Sequence, residues 1–340
     1  MGSPMPVSRA AGAGGQVAAP TGAAWRWVDG AQAKLGRDGA RRALARGMKL
    51  LLLALVPACF ALNPVTGRAL AEDFGPASLS LVRWLLSGLV IAVVAAVRGK
   101  GERWRAPPAH LVRTALLGAM AMGFCAYAAF VAARTTEATN ISLIYGCASA
   151  LIAAAEIAAG RQRATPGLLL GIAACLAGVV AVVTRGQPQV LGQLRVAEGD
   201  LWASAGMLVF VAYTLALRRT PALLTPMPQF AVMSLGAALA LAPLAAAEVL
   251  AAGLPVLHER TLPWLAVVVL ATGIGAFLGY NVALARNGPV LTSASLTLTP
   301  AFTAAQAMVL IGEALAWYHA LALSLVVAGL MVINRDQARR

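Results

Sequence analysis

Charged residues are scarce in this chain of 340 residues. Asp, Glu, Lys and Arg together make up 12% of the sequence, against about 25% in a typical soluble protein. Apolar residues make up 60%, and the mean hydropathy is +0.77. A water-soluble fold of this size cannot cover its surface with so few charges, and the 33 glycines are too few for a collagen-like chain. The composition therefore predicts a polytopic membrane protein.

Cysteine and histidine are also few. The four cysteines, Cys59, Cys125, Cys147 and Cys175, lie singly in apolar runs, and no pair has CxxC spacing. The three histidines are far apart in the sequence, and neither an HExxH nor a GxSxG motif occurs. We therefore expect buried thiols, no disulfide framework, no metal site, no cofactor and no enzymatic activity.

Ten long apolar runs follow one another along the chain. Each has roughly 17 to 28 residues, and about 20 residues cross the hydrocarbon core as an α-helix. The runs are continuously apolar and do not alternate, which indicates helices and not barrel strands. We predict ten transmembrane helices over 50–67, 76–97, 114–133, 138–155, 164–184, 201–217, 220–247, 261–285, 287–312 and 314–334.

Lys and Arg residues are distributed unequally between the two sides of these spans. With a cytoplasmic N-terminus, nineteen of those in the flanking segments fall on the inner side and five on the outer side. Because positive residues remain on the cytoplasmic side, this predicts a multi-pass protein of the bacterial inner (plasma) membrane with both termini in the cytoplasm. The net charge of +14 is thus a topology signal, and we expect the lipid bilayer but no nucleic acid as a partner.

The longest stretch between spans divides the chain into two halves. We predict a cytoplasmic tail over 1–46, five-helix repeats over 47–184 and 200–335, an extracytoplasmic linker over 185–199, and a short C-terminal tail over 336–340. Five crossings per half orient the halves oppositely, which makes an inverted repeat of the kind that many transporters use. Gly171 and Gly178 in span five share a spacing of seven residues with Ala322 and Gly329 in span ten, which supports the repeat.

Short motifs in both halves resemble one family. They are Asn63-Pro64, Arg83, Gly199-Asp200-Leu201-Trp202-Ala203, Tyr213, Arg218-Arg219, Tyr280-Asn281, Pro300, Gly312-Glu313 and Gly329. Over about residues 48–334 the chain resembles the drug/metabolite transporter superfamily, in its ten-helix EamA-type branch. The first half departs from the pattern, because span four has no proline and Gln162 stands where the repeat would place an acid.

The resemblance implies an all-α integral membrane fold, with ten transmembrane helices in two five-helix inverted repeats around a central cavity. It also implies export of a small-molecule substrate, an amino acid or similar metabolite, through that cavity. Within the branch, the aromatic amino acid exporters look most similar to this chain.

A polar stripe runs along span nine. Thr292, Ser295, Thr299, Thr303 and Gln306 recur at intervals of three and four residues, which places them on one helix face. Pro300 lies within the same span, where a proline removes one backbone hydrogen bond and leaves a carbonyl free. Hydroxyls that bond back to the helix in a packed interface are the alternative. We expect a water-filled cavity, with Ser295, Thr299, Thr303 and Gln306 as substrate contacts.

Large polar side chains recur within other spans. Each buried tyrosine ring has one hydroxyl that needs a partner, so a solute-lined cavity and core packing both explain it. Asn63 precedes Pro64 in span one, where a broken helix with a polar amide predicts a ligand contact or a gate. The further candidate substrate contacts are therefore Asn63, Tyr127, Tyr145, Tyr213, Tyr280 and Asn281.

Carboxylates are lacking near the middle of the spans. Arg83, Glu156, Glu248 and Glu313 all lie within about two turns of a span end. Ion coupling usually needs an intramembrane carboxylate, and a carrier of cationic drugs needs one to hold its substrate. We therefore expect a neutral or zwitterionic solute that crosses by alternating access without ion coupling. A proton-coupled drug or toxic-compound antiporter, and a membrane scaffold or receptor without transport, are the alternatives.

Overall fold

The computed structural model describes residues 51–98, 104–187, 197–217, 219–221, 223–255, 257–280, 282–283, 292 and 295–338. Within these ranges every regular element is a helix, and nine helices are long and apolar enough to cross a membrane. The helices are α1 Leu51–Ala69, α2 Pro76–Arg98, α3 Pro108–Thr135, α4 Ala138–Ala158, α5 Pro166–Val183, α6 Glu198–Leu217, α7 Pro226–Ala252, α8 Thr261–Tyr280, the shorter α9 Thr299–Ile311 and α10 Trp317–Ala338. The predicted all-α membrane fold is confirmed.

Prolines and glycines mark where these helices begin and end. Four helices, α2, α3, α5 and α7, begin with proline, which is tolerated there because the first turn leaves its N–H groups unpaired in any case. At α5 the Thr165 hydroxyl also accepts the N–H of Leu168 at 3.2 Å, as a helix cap does. Gly160 and Gly312 follow the ends of α4 and α9 with φ values of +68° and +67°, a conformation that favours glycine.

The last helices of the two halves, α5 and α10, pack closely against each other. A Cβ placed at Gly171 would lie 2.8 Å from the carbonyl oxygen of Gly329, and one at Gly178 would lie 3.1 Å from that of Ala322. The two pairs with the shared spacing of seven residues are therefore contact partners. Small residues allow such backbones to approach, which is how membrane helices gain packing energy without a hydrophobic driving force.

The third and fourth helices of each half depart from regular α-helical geometry. α3 widens to a π-helix over Ala119–Phe124, and α8 does so over Val267–Gly275. α4 is interrupted at Cys147, whose N–H bonds only three residues back, to Ile144 at 3.1 Å. Before α9 begins, the chain turns at Thr297 and Leu298. These irregular segments carry the candidate site, and π-helical turns frequently do so.

Two expectations about proline are corrected. α1 is assigned as helix without a break from Leu51 to Ala69, so Pro64 does not interrupt it. Pro300 lies in the first turn of α9, where it costs no hydrogen bond, instead of in the middle of a helix. The polar stripe is therefore discontinuous, because Ser295 precedes the turn while Thr303 and Gln306 follow it.

The two halves are tied together at one end of the bundle. This end carries the α1–α2, α3–α4 and α9–α10 connections; the charge asymmetry predicts that it faces outside, and we call it the outer end. Glu248 of α7 accepts the N–H groups of Ala77 and Ser78, both at 2.9 Å, at the start of α2. Glu313 accepts those of Ala138 and Thr139, at 3.2 and 3.3 Å, at the start of α4. A carboxylate at a helix N-terminus satisfies unpaired donors and complements the helix dipole.

Candidate functional site

The two interrupted helices meet inside the bundle. A Cβ placed at Gly146, beside the interruption of α4, would lie 3.2 Å from Cγ of Pro300 in the first turn of α9. By helical rise these residues are about 12 to 17 Å from the outer ends of their helices, near the middle of a hydrocarbon core about 30 Å thick. Interrupted helices at this depth form the solute sites of many carriers, because their unpaired backbone groups are available to a ligand.

Thr303 connects three helices at this point. Its hydroxyl lies 2.9 Å from Oγ of Ser142 in α4, 3.3 Å from the carbonyl oxygen of Ala61 in α1, and 3.1 Å from that of Thr299. The side chain is fully buried. In this conformation, Thr303 therefore faces neighbouring helices, and its contact with a solute stays a prediction for a conformation in which α1 and α9 separate.

Gln306 extends the same contact by one turn. Its Nε2 donates to the carbonyl oxygen of Ala58 in α1 at 3.1 Å. Its buried Oε1 has no hydrogen-bond donor among the described residues. At the interface between α1 and α9 the amide nitrogen therefore has a hydrogen-bond partner, whereas the amide oxygen has none among the described residues. A buried oxygen without a donor destabilises the folded state unless a further donor binds to it.

A buried arginine lies between α1, α2 and α8. Arg83 of α2 donates from Nη1 to Oδ1 of Asn63 and from Nη2 to the carbonyl oxygen of Thr272 at 2.9 Å. Thr272 lies in the π-helical segment of α8, and Cζ of Arg83 lies 4.2 Å from the ring centroid of Trp84. The candidate residue Asn63 is therefore one acceptor for a guanidinium that is only 5% exposed.

Aromatic rings continue from this arginine into the bundle. Trp84 packs edge-on against Phe230 with ring centroids 6.1 Å apart, and Phe230 lies 4.1 Å from Phe277 of α8. The candidates Tyr127 and Tyr213 pack against the same cluster. Tyr127 also contacts Trp202 edge-on at 5.9 Å. An apolar aromatic wall therefore adjoins the one buried guanidinium of the described spans.

The remaining candidates are dispersed. Tyr145 donates to the carbonyl oxygen of Cys125 at 2.8 Å, just after the π-helical part of α3. Tyr280 ends α8, about 28 Å from its outer end, so it lies near the inner end of that helix. Ser295 donates to the carbonyl oxygen of Thr292 at 2.8 Å. Asn281 lies outside the described residues.

A second polar cluster lies at the outer end, at the starts of α4, α6 and α10. Nε2 of His319 is 3.0 Å from Oδ1 of Asn140 and 2.9 Å from Oε2 of Glu137, and its Nδ1 accepts the N–H of Ala316. Thr136 donates to Asp200 at 2.6 Å, and the second oxygen of that carboxyl is buried without a donor among the described residues. Burial also raises the pKa of the nearby Glu313 carboxyl.

A cavity of about 370 Å³ opens at the same end. It is lined by Arg68, Ala69, Ala71, Glu72, Asp73, Arg134, Arg260 and Trp264. Two of its arginines donate hydrogen bonds to backbone carbonyl oxygens. Arg68 donates to that of Ala133 at 2.9 Å, and Arg134 donates to that of Phe74 at 3.3 Å. Among the described residues, no three His, Cys, Asp or Glu side chains are placed to hold a metal ion.

A comparison with known protein families identifies the class of protein to which this chain belongs. The model of the EamA-like transporter family matches residues 47–184 and 197–335, once in each half. The chain belongs to the EamA-like transporter family. It is therefore a multi-pass membrane transporter of small molecules, in contact with lipid, and members of this family are generally not enzymes.

One solved structure, described only as "Crystal structure of protein", is similar to this EamA-like transporter with 17% identity and a TM-score of 0.56. The similarity covers 86% of this chain and 98% of the other, and at this identity it shows a shared fold. No curated protein matches the sequence.

Sequence reasoning missed three residues of this EamA-like transporter that the structure brings into the candidate region. Arg83 is absent from the contacts that the sequence predicts, although a single charge in an otherwise uncharged span is itself a signal of function. Ser142 and Gly146 carry no such signal, because their importance comes from Thr303 and Pro300 on a helix more than 150 residues away.

Proposed function

We propose that this transporter exports neutral amino acids, aromatic ones in particular, or similar small metabolites across the bacterial inner membrane by facilitated alternating access. The observation that carries the proposal is the meeting of the interrupted α4 and α9 at Gly146 and Pro300, near mid-depth and between the two halves. A solute held there is released on either side when one half rocks against the other.

The preference for aromatic solutes is supported by the ring cluster of Trp84, Phe230 and Phe277, with Tyr127 and Tyr213 beside it. Aromatic rings recognise one another through large apolar contact areas and edge-to-face geometry. Asn63, Tyr145, Ser295, Thr299, Thr303 and Gln306 are proposed to supply polar contacts, as are Tyr280, nearer the inner end, and Asn281.

A facilitated mechanism is supported by the charges of the described spans. The buried Arg83 lies about two turns from the start of α2, whereas Glu248 and Glu313 cap helices at the outer end. A proton-coupled antiporter is the second candidate, and the outer cluster favours it. Asp200 is 1% exposed with one unpaired carboxyl oxygen among the described residues, and His319 contacts Glu137. Buried groups of this kind can exchange protons during a conformational cycle.

Flux through proteoliposomes tests both candidates. Purified protein is reconstituted, and uptake of labelled phenylalanine, tyrosine, leucine, lysine and glutamate is measured with competition by unlabelled amino acids. We expect the aromatic and aliphatic amino acids to equilibrate and the charged ones to move little. An imposed proton gradient should leave the final internal concentration unchanged. Accumulation against the amino acid gradient would establish the antiporter, and absence of any amino acid flux would overturn the substrate class.

A further inference from the structure

One face of α2 presents buried hydrogen-bond donors without acceptors. Arg83 and Trp84 follow Ser80 by three and four residues, so both lie on the same side of the helix as Ser80. Ser80 Oγ, Arg83 Nε and Trp84 Nε1 are all buried, and none of them has a hydrogen-bond partner among the described residues. The three side chains are 0%, 5% and 7% exposed.

Buried hydrogen-bond donors without acceptors destabilise the folded state. A buried polar group without a partner loses its hydration and gains nothing in return, and native proteins rarely keep one. Here three occur within five consecutive residues of one helix, and one of them belongs to a positively charged side chain. Among the described residues no carboxylate pairs with Arg83, whose acceptors are the neutral Asn63 amide and the Thr272 carbonyl. Among the described residues the cluster therefore lacks a counter-charge, and these three donors lack acceptors; an anion supplies both.

The shape of the arginine selects the kind of anion. A guanidinium has five N–H donors in one plane, and Arg83 uses two of them for Asn63 and Thr272. The remaining donors include Nε and one on each terminal nitrogen, so two adjacent ones can engage both oxygens of a carboxylate. Ser80 and Trp84 can each donate to the same oxygens, and the aromatic cluster beyond Trp84 offers an apolar wall for the rest of the solute.

We propose that Ser80, Arg83 and Trp84 form a carboxylate-binding site that holds the carboxylate of the transported solute. This inference rests on the proposed function and adds the group by which the solute is recognised. The bond from Arg83 to Thr272 joins α2 of the first half to α8 of the second. When the halves separate, Arg83 loses this acceptor, and the solute carboxylate replaces it. Binding is then coupled to the movement that carries the solute.

Thermal stabilisation of the purified protein in detergent tests the site directly. The probes are acetate, benzoate, 3-phenylpropionate and L-phenylalanine, each paired with its carboxamide, which has nearly the same shape but no negative charge. We expect the wild-type protein to be stabilised by at least one of the larger carboxylates and by none of the carboxamides. Equal stabilisation by a carboxylate and its carboxamide, no stabilisation by any carboxylate, or equal stabilisation by sodium chloride would each overturn the proposal.

Variants then assign the effect to these residues. Arg83→Gln should weaken the carboxylate response by about 10- to 100-fold, since hydrogen bonds to charged groups are among the strongest. Arg83→Lys keeps the charge but loses the planar fork, so we expect an intermediate loss. Trp84→Phe removes Nε1–H together with part of the indole but keeps an aromatic ring in the cluster, so it should fold and bind carboxylates less tightly. The exposed Arg113→Gln and Trp104→Phe are the matched controls and should respond as the wild type does.

A purely structural role for Arg83 predicts a different pattern. In that case Arg83→Gln and Trp84→Phe lower the melting temperature without ligand but leave the ratio of carboxylate to carboxamide affinity unchanged, which would overturn the proposal. Measurements of amino acid flux distinguish the carboxylate-binding site from the proposed transport function. If the wild type moves no amino acid but still distinguishes carboxylate from carboxamide through Arg83, the amino acid function fails and the site stands. If it moves amino acids and Arg83→Gln moves them equally well, the site fails and the function stands.

Discussion

Thr303 shows how the environment of a single residue decides between packing and lining a cavity. It is fully buried and contacts α1 and α4 through its hydroxyl. Thr303→Trp should therefore overpack the interface and lower the free energy of unfolding by about 1–3 kcal/mol. The melting temperature in detergent measures this, with Ala305→Trp, which is exposed on the same helix, as the control.

The control variant should melt close to the wild type, because an added ring at an exposed position of α9 meets no packed neighbour. If Thr303→Trp also melted like the wild type and blocked flux, the residue would face open space. That outcome would restore the water-filled cavity that the polar stripe predicted from the sequence.

The residue-level prediction from sequence was limited for a physical reason. The spacing of Ser295, Thr299 and Thr303 predicts a shared helix face, but it carries no information on what opposes that face. Ser142 and Ala61 oppose it, and both belong to other helices. Likewise, the unpaired donors of Ser80 and Trp84 cannot be found by spacing, because a missing acceptor is a property of the folded chain.

At the scale of elements, the close contact of α5 and α10 gives a sharp test. A Cβ at Gly171 would lie 2.8 Å from the Gly329 carbonyl oxygen, whereas one at Gly167, a turn earlier, would lie no closer than 3.9 Å to any neighbour. We expect Gly171→Ala to cost about 1–3 kcal/mol by forcing the helices apart. Gly167→Ala should change stability by less than about 0.5 kcal/mol. Unfolding in a denaturing detergent measures both, and equal stability would show that the helices separate without cost.

The elements themselves were largely predictable. Long apolar runs predict the nine helices that, in the described part of the chain, are long enough to cross a membrane, since the cost of an unpaired backbone group in lipid permits only helices there. The interruption of α4 at Cys147 was not predictable, because it has neither a proline nor a polar residue at the break. It is visible only in the hydrogen bond from Cys147 to Ile144 and in the contact of Gly146 with Pro300.

At the scale of the whole molecule, the charge asymmetry predicts which side each loop faces. Gln187→Cys, in the exposed segment after α5, should react with a membrane-impermeant maleimide in intact cells. Ala164→Cys, exposed between α4 and α5, should react only after permeabilisation. The four native cysteines are buried and contribute little background. The reverse pattern of labelling would place both termini outside.

The outer end also bears on the energetics of the cycle. Glu248, Glu313, Asp200 and His319, all from the second half, are bonded to the first half there. In the proposed alternating-access cycle, outward opening breaks these bonds, so contacts made in the outward-open state or by bound solute must offset their free energy. If the carrier is uncoupled, as proposed, it cannot make flow one-directional, because microscopic reversibility makes Vmax/KM equal in both directions. The bonds can therefore give the two faces different half-saturation concentrations, while the solute gradient alone determines the direction of net flow.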